Sequence, residues 1–369
     1  MTGAMYAAVS GLKTHMSAMN VISHNVSNVN TLGYKATRYT FNEALYTTVR
    51  AGADGTPQTG GRNPAQVGYG CNIGTIDLDV STSTPSPTGR ALDVMIDGDG
   101  FFLVSDKTKE AGVTTQEQLN GMKLTRLGNF DVKDGYLIDG NGEVVYGFLN
   151  SLSGEGEDAT AEVSPVLTAI RLPNSYTTEE VIGGEDGEEP KTVVRTHVLL
   201  PNYNAQDGTV MDNTTLPDGA PEGAEVTRMK DNSFSISETG VITAMTNDDT
   251  MVVVGYLAIG KVDSPNGVTH VDGRYFQALD GAGDVHLTSV GGMLQYLPNA
   301  EEGGDAVATE LAVESAGDTG LVTACLESSG TDLAQEITNM IVIQRGYQAN
   351  TRIVTVTDSM LEELVNMKR

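Results

Sequence analysis

Histidines, cysteines and the motifs common in enzymes can indicate a catalytic, metal or cofactor site. In this sequence their spacing indicates no such site. The histidines form no His-x-x-x-His pair and no Cys-x-x-Cys accompanies them, so no metal-ligand spacing is present. They are His15, His24, His197, His270 and His286. Neither a Gly-x-Ser-x-Gly motif nor a phosphate-binding or dinucleotide-binding glycine loop occurs. We therefore expect no catalytic site, no metal and no cofactor, and we predict that the chain is not an enzyme.

Two acidic, glycine-rich segments resemble calcium-binding loops only superficially. They are Asp-Gly-Asp-Gly at residues 97–100 and Asp-Gly-Asn-Gly-Glu at residues 139–143. Neither continues into the twelve-residue ligand pattern, ending in a bidentate acid, that such a loop requires. Both are flanked by strand-like runs, and glycine supplies the positive φ angles that tight turns need. We predict that both segments are β-turns.

A third group of polar residues offers hydrogen bonds to the backbone, and it follows the first apolar segment. Asn25, Asn28 and Asn30 fall within six residues. Asparagine side chains bond to local backbone groups and tolerate the left-handed conformation, so they can satisfy carbonyl groups where a helix ends. Gly33 then permits a sharp change of direction through a positive φ angle. The predicted helix end consists of Asn25, Asn28, Asn30, Thr31, Gly33, Tyr34 and Lys35.

The element that must precede this cluster is an amphipathic helix, and a second one occupies the other end of the chain. The N-terminal apolar residues recur mainly at alternating spacings of four and three, as in a coiled-coil seam, and the C-terminal ones begin a similar pattern and continue it at helical spacing. The N-terminal stripe consists of Met5, Val9, Leu12, Met16, Met19 and Val26. The C-terminal stripe consists of Leu333, Ile337, Met340, Ile343, Tyr347, Val354, Leu361 and Leu364. Because isolated helices of this length are marginal in water, we predict that both stripes pack against helices of other subunits.

Between the helices the apolar period changes to two, which predicts a mostly β fold with terminal α-helices. Short apolar runs alternate with Asp-Gly and Asn-Gly turns. We expect discontinuous, nested domains, in which the two helices form a coiled-coil-like inner domain that mediates polymerisation. The predicted ranges are 1–30 and 320–369 for this helical domain, 31–70 for an extended connector, 71–150 and 241–319 for a β-rich middle domain, and 151–240 for an inserted, acidic outer β domain.

The charge and hydropathy of the chain argue against some partners. The net charge is −27, with 49 acidic against 22 basic residues, whereas nucleic-acid binding needs clustered lysine and arginine. No apolar run reaches the roughly 20 residues of a membrane span, and the first residues lack the pattern of a secretory signal. Cys71 and Cys325 are too few for a disulfide framework, so we expect free thiols. We predict no nucleic acid and no membrane insertion.

Four ordered sequence blocks resemble the flagellar axial proteins, the rod and hook family. The first is LKTHMSAMNVISHNVSNVNTLGYKATRYTF at residues 12–41, and the others occupy residues 88–104, 124–148 and 326–369. They cover both ends and most of the β domain, whereas residues 151–240 match only weakly. The resemblance implies that the terminal helices line the inside of a tube and that the β domains lie outside them. It also implies a structural role without catalysis.

Within this family, the inserted segment at residues 151–240 favours a hook subunit, which forms a curved, flexible tube that transmits torque from rod to filament as a universal joint. A distal rod subunit of the flagellar basal body is the alternative, because the connector at residues 31–70 is long. A secreted β-rich adhesin is a further alternative, but it leaves the two stripes without a purpose. The resemblance implies several partners: other copies of the chain, the flagellar rod, the hook cap, the hook-filament junction proteins and the flagellar export apparatus. That apparatus would deliver the chain outside the cell without a cleaved signal peptide.

Overall fold

The computed structural model divides the chain into two compact units. One combines Met1–Asp79 with Ser329–Arg369, and the other is Val80–Ser328. The residues that the structure describes are 2–55, 60–106, 112–153, 160–164, 166–182, 191–200, 202–203, 210–211, 224–229, 234–245, 251–279, 281–292, 294, 311–315 and 319–367. The first unit is therefore assembled from both ends of the chain.

Helices occupy the two ends of the described chain, and strands dominate the middle, so the fold is mostly β with terminal α-helices. The helices are α1 (Thr2–Ser27), α2 (Gln116–Asn120) and α3 (Leu333–Asn366), with 3₁₀ turns at Pro265–Gly267 and Val290–Gly292. No helix in the described part of the chain is long and apolar enough to cross a membrane. The strands of the first unit are β1 (Thr37–Glu43), β2 (Tyr46–Arg50), β3 (Ala65–Gly68) and β4 (Cys71–Leu78).

The second unit contains the remaining strands. In chain order they are β5 (Pro85–Pro87), β6 (Asp93–Asp97), β7 (Phe101–Ser105), β8 (Lys123–Thr125), β9 (Gly128–Asn129), β10 (Asp131–Lys133), β11 (Tyr136–Ile138), β12 (Val144–Ser153), β13 (Thr160–Val163), β14 (Thr168–Ala169), β15 (Asn174–Ile182), β16 (Lys191–Leu199), β17 (Asn202–Tyr203), β18 (Val210–Met211), β19 (Thr227–Arg228), β20 (Phe234–Ile236), β21 (Val241–Met245), β22 (Met251–Val262), β23 (Thr269–Asp272), β24 (Tyr275–Gln277), β25 (Val285–Ser289), β26 (Val313–Ser315), β27 (Gly320–Thr323) and β28 (Cys325–Glu327).

In the first unit, β1 to β4 form one long hairpin. β1 pairs antiparallel with β4, and β2 pairs antiparallel with β3. We interpreted residues 31–70 as an extended connector, but the described part of this range folds into paired strands. Threonine, tyrosine, phenylalanine and valine favour strands at these positions, and β4, which lies beyond residue 70, supplies the partner for β1.

In the second unit, the main antiparallel sheet is built around two long strands. β22 pairs with β12, β7, β21 and β25. Their inward side chains form the buried core, in which the rings of Phe102 and Phe130 meet edge to face with centroids 5.1 Å apart. Other members of this core include Ile96, Val104, Leu137, Val145, Leu149, Ile242, Val254, Leu257 and Ile259.

The last two strands belong to the second unit, although we placed residues 320–328 in the helical domain. β27 pairs with β6 and β28 pairs with β5. Leu321 and Leu326 are buried in these strands. Their apolar side chains at strand spacing explain why this segment joins the sheet, and α3 begins only at Leu333.

The structure describes part of the predicted inserted domain, residues 151–240. Its described part contains an antiparallel sheet in the order β16-β15-β19 and the pair β17-β18. The ring of Tyr176 stacks on that of His197, with centroids 4.9 Å apart. Leu199 and Leu200 are buried. The strand predicted near residues 192–201 is present as β16, and the separate outer domain stays a prediction.

Of the two acidic, glycine-rich segments, residues 139–143 form the predicted turn, whereas residues 97–100 form a bend between two strands that do not pair with each other. Gly98 and Gly100 have φ angles of +120° and +125° between β6 and β7. At the other segment, the Asp139 carboxylate accepts hydrogen bonds from the backbone N–H groups of Asn141 (2.9 Å) and Glu143 (3.1 Å). This carboxylate therefore closes a turn. Within the described residues, no group of three or more histidine, cysteine, aspartate or glutamate side chains is placed to hold a metal ion.

Candidate functional site

The two terminal helices pair closely inside the first unit. A Cβ atom at Gly11 of α1 would lie 2.5 Å from the Asn350 side chain of α3, and one at Gly346 of α3 would lie 2.7 Å from the His15 ring. Gly11 precedes His15, whereas Gly346 precedes Asn350, so the helices run antiparallel. Because glycine has no side chain, Gly11 leaves room for Asn350 and Gly346 leaves room for His15. This exchange of small and large residues lets the two backbones approach.

The buried face of this helix pair contains small residues as well as a few members of the predicted stripes. Ala18 and Ile22 of α1 pack on Ile343 of α3, with the half-buried Met19, Val26, Tyr39 and Met340 around them. Other residues buried on the two helices are Ala8, Thr14, Asn25 and Thr357. The sequence analysis missed the small residues of this face because alanine and glycine add little to an apolar pattern.

Of the fourteen residues of the N-terminal and C-terminal stripes, only Ile343 is buried, and Met19, Val26 and Met340 border the same small core. Exposed members include Met16, at 53%, and Ile337, at 47%. The other exposed members are Val9, Leu333, Tyr347 and Leu364, and the half-buried members are Met5, Leu12, Met19, Val26, Met340, Val354 and Leu361. The helices thus satisfy one face within the chain and leave most of the stripe residues open to another chain.

A second exposed apolar stripe runs along α3, and the sequence analysis did not single it out. Val342, Ile353, Val356, Met360 and Met367 are all exposed. Ala349, which is also exposed, lies at helical spacing between Val342 and Ile353. Helical geometry places residues at this spacing on one side of the helix. The spacing itself was the signal available in the sequence.

Asn25 joins the three parts of the first unit at the predicted helix end. Its side chain is 1% exposed. The amide Nδ2 donates to the Thr37 carbonyl of β1 (2.8 Å) and to the Glu336 carboxylate of α3 (2.7 Å). The Oδ1 atom accepts from the Thr37 N–H (3.0 Å) and from the Tyr34 hydroxyl (2.9 Å). One buried amide therefore connects α1, α3 and the hairpin.

The other predicted residues of the helix end make the turn after α1. Asn28 Nδ2 donates to the His24 carbonyl (2.9 Å), and the Thr31 hydroxyl donates to Asn28 Oδ1 (3.1 Å). Gly33 has a φ angle of +71°, the left-handed conformation that the sequence predicted there. In this turn Lys35 is buried and Asn30 is exposed.

Tyr34 extends the polar cluster toward the start of α3. Its hydroxyl lies 2.8 Å from His24 Nδ1, and its carbonyl accepts from the Gly330 N–H (2.9 Å). Burial raises the pKa of Tyr34, a hydrogen bond with Thr37 opposes this change, and the charge of Glu336 adds to it. The tyrosine therefore stays neutral at physiological pH, where its hydroxyl can donate to Asn25.

Polar contacts also fix α1 to the hairpin at a second point. The Ser10 hydroxyl donates to the Cys71 carbonyl and accepts from the Cys71 N–H (3.1 Å), while the Thr14 hydroxyl donates to the same carbonyl (2.9 Å). Gly70, with φ of +118°, allows this approach, since a Cβ atom there would lie 2.6 Å from Ser10 Oγ. Cys71 and Cys325 are both free, half-buried thiols.

The far half of the hairpin carries apolar side chains that the described residues leave uncovered. Leu45 is 84% exposed, and Val49, Val67 and Tyr69 are also exposed. In the register of β2 and β3, Thr47 lies opposite Val67, and Tyr69 bonds to the backbone of Leu45. These four residues alternate with polar neighbours and so share one face of the hairpin.

Comparison with known families finds matches at both helices. The family described as "Flagella basal body rod protein" matches residues 5–35. The family described as "Flagellar basal body rod FlgEFG protein C-terminal" matches residues 323–367. These ranges contain most of α1 with its following turn and the whole of α3.

Curated relatives match along the entire chain. The flagellar basal-body rod protein FlgG of Bacillus subtilis is 28% identical, and the alignment covers 100% of both chains. The flagellar hook proteins FlgE of Borreliella burgdorferi and Treponema pallidum are 25% and 24% identical, again over 100% of both chains. The similarity thus extends beyond the two terminal segments to the β-rich middle.

Proposed function

Since the chain belongs to the flagellar rod and hook protein family, we propose that it is a structural subunit of the bacterial flagellar hook. It polymerises with itself into a curved, flexible tube that transmits torque from the rod to the filament. It performs no covalent chemistry. The observation that carries this proposal is the helix pair, which is closed on its inner face by Asn25, Gly11 and Gly346 and open along both apolar stripes.

The stripes supply the energy for assembly. Burying an apolar side chain of this size contributes about 1.5 kcal/mol or more, so the six residues of the N-terminal stripe outweigh the cost of ordering the side chains once neighbouring copies cover them. Because the helices already pair within the subunit, neighbours meet a preformed surface. Preorganisation of this kind lowers the entropic cost of association.

The helices and the β domains have different mechanical roles in the proposed universal joint. Helices packed through heptad-like stripes form a continuous and stiff inner sheath. Polar, acidic β domains on the outside can slide past one another while the tube bends. The inserted segment at residues 151–240, with 17 acidic against 5 basic residues, provides such a surface. We place it in an outer domain.

The partners follow from this position in the flagellum. Besides other copies of the chain, the subunit contacts the rod below, the cap during growth, and the junction proteins that connect the hook to the filament. It reaches the outside of the cell through the flagellar export apparatus. No nucleic acid and no membrane insertion take part.

A distal rod subunit is the second candidate, and two observations favour it. The alignment with the Bacillus subtilis rod protein spans 370 residues, almost the length of this chain. The long hairpin of β1 to β4 also fills the region that we associate with distal rod subunits. Against this, the separate sheets β16-β15-β19 and β17-β18, between residues 174 and 228, agree with the additional domain of a hook subunit.

Electron microscopy of the polymer tests the function and separates the two candidates. Purified full-length protein, concentrated until it assembles, should give hollow tubes. Curved tubes that change their curvature support the hook, and straight rigid tubes support the rod. Isolated particles at every concentration would contradict both and would favour an adhesin.

A further inference from the structure

His15 lies where three elements of the first unit meet. Its ring lies against Gly346 of α3, because a Cβ atom there would be 2.7 Å from His15 Cε1 and 2.8 Å from Nε2. It also meets Phe41 of β1 in a T-shaped contact, with ring centroids 5.7 Å apart. An ionisable ring therefore occupies the contact between α1, α3 and the hairpin.

This environment disfavours the charged form of the ring. His15 Nδ1 is buried and has no hydrogen-bond partner. A protonated imidazole donates from both nitrogens, and a buried donor without an acceptor is costly. Burial accordingly lowers the pKa of His15 below its ordinary value.

The neighbouring elements provide no counter-ion that would reverse this preference. The titratable residues nearest in sequence to the contact are Lys13 on α1, Arg345 and Tyr347 on α3, Tyr39 and Glu43 on β1, and Cys71 on β4. Among these six, only Glu43 carries a negative charge at neutral pH. It is exposed and already accepts a hydrogen bond from the Tyr46 hydroxyl.

We propose that His15 is an acid-sensitive joint of the first unit: protonation of its ring breaks the contacts with Gly346 and Phe41 and loosens the pairing of α1 with α3 and the hairpin. In the unfolded chain histidine takes up its proton near pH 6.5. Because folding lowers the pKa of His15, the neutral ring contributes its full stability to the folded state above that pH. The contribution is lost as the pH falls through the pKa that His15 has in the folded state.

The joint is tested on the full-length protein at concentrations below those of assembly. Histidine ring resonances are followed by NMR from pH 8 to pH 5, together with hydrogen exchange of the backbone amides. The His15 midpoint should lie below 6.5. Protection of amides in α1 and α3, corrected for intrinsic exchange, should decrease by up to about tenfold per pH unit as one proton is taken up. Amides of the second unit should not follow this change.

Two variants complete the test. His15→Gln removes the titration and should flatten the pH dependence of the helix amides, whereas His270→Gln in the second unit should retain it. A His15 midpoint at or above 6.5, or an unchanged pH dependence in His15→Gln, would overturn the proposal. The titration of the unaltered chain decides the matter even where His15→Gln does not fold. Because the experiment uses monomers, its result does not depend on whether the chain forms a hook.

Discussion

Asn25, at the predicted helix end, connects α1 to β1 and to α3. From the sequence it was expected to satisfy carbonyl groups of its own helix, as Asn28 does. Instead its buried amide bonds to β1 and to the first turn of α3, 311 residues away. A local pattern of asparagines identifies a helix end, but it carries no information on which distant carboxylate will complete the hydrogen bonds of the buried side chain.

Replacing Asn25 should weaken the first unit more than replacing its exposed neighbour. Asn25→Ala leaves Thr37 and Glu336 with unsatisfied buried groups, for which we expect a loss of about 2–3 kcal/mol. Urea unfolding followed by the helical circular dichroism signal measures this loss. Asn30→Ala is the control and should change stability little. Equal effects of the two substitutions would contradict the role of Asn25 as the buried connection.

Gly33 should reject a β-branched residue because of its positive φ angle. Gly33→Val should destabilise the first unit by about 1–3 kcal/mol, while Gly33→Asn should be better tolerated because asparagine adopts the left-handed region more readily. The measurement is the urea midpoint of each variant. Identical midpoints for valine and asparagine would show that backbone conformation does not limit this position.

At the scale of the elements, the pairing of α1 with α3 depends on Gly11 and Gly346, where the two helices come close together. Gly346→Ala brings a methyl group to 2.7 Å from the His15 ring, which also contacts Phe41. We expect a net loss of about 1–2 kcal/mol, because overpacking outweighs the better helix propensity of alanine. Gly3→Ala in α1 is the matched control, since its Cβ atom meets only Tyr69 at 3.9 Å. Hydrogen exchange of α1 should slow in the control and accelerate in Gly346→Ala.

The N-terminal stripe should be needed for assembly and not for folding. Met16→Asp changes a side chain that is 53% exposed in the subunit, so its free energy of unfolding should change by no more than about 0.5 kcal/mol. In the tube the same carboxylate would be buried without a partner, which prevents polymerisation. Sedimentation of concentrated protein measures the polymer, with Ser17→Asp, also exposed, as the control. Normal tubes from Met16→Asp would contradict the proposed contact.

The terminal elements were predictable because their signals are local. Apolar periodicity and the asparagine cluster identified α1, and the spacing around Leu333 identified α3. The packing of these elements was not predictable, because Gly11, Ala18 and Gly346 have no apolar signal of their own. The hairpin was missed for a related reason. Glycine and proline at its far end indicated a connector, whereas its pairing depends on β4, outside that range.

For the whole molecule, the division into two units predicts which fragment folds alone. A fragment of residues 80–328 should unfold in a single cooperative thermal transition, because it retains the pairing of β27 with β6 and of β28 with β5. Our sequence boundaries correspond to residues 71–318, which lose both pairs and keep β4 without β1. That fragment is the control and should melt at a lower temperature. Equal melting temperatures would contradict the assignment of the last strands to the second unit.

The discontinuity of the first unit also dictates an order of events when the chain folds. An N-terminal helix that emerges first can bond to the hairpin, but it has no partner helix until residue 336 follows it, since Asn25 and Glu336 are 311 positions apart. Folding of the second unit brings Thr84 and Ser328 together, where their backbones are bonded at 3.0 Å. This shortens the loop that the helix pair must close and saves roughly 1 kcal/mol of chain entropy. The helix pair that carries the surface we propose for assembly can therefore close only once the C-terminal helix is present.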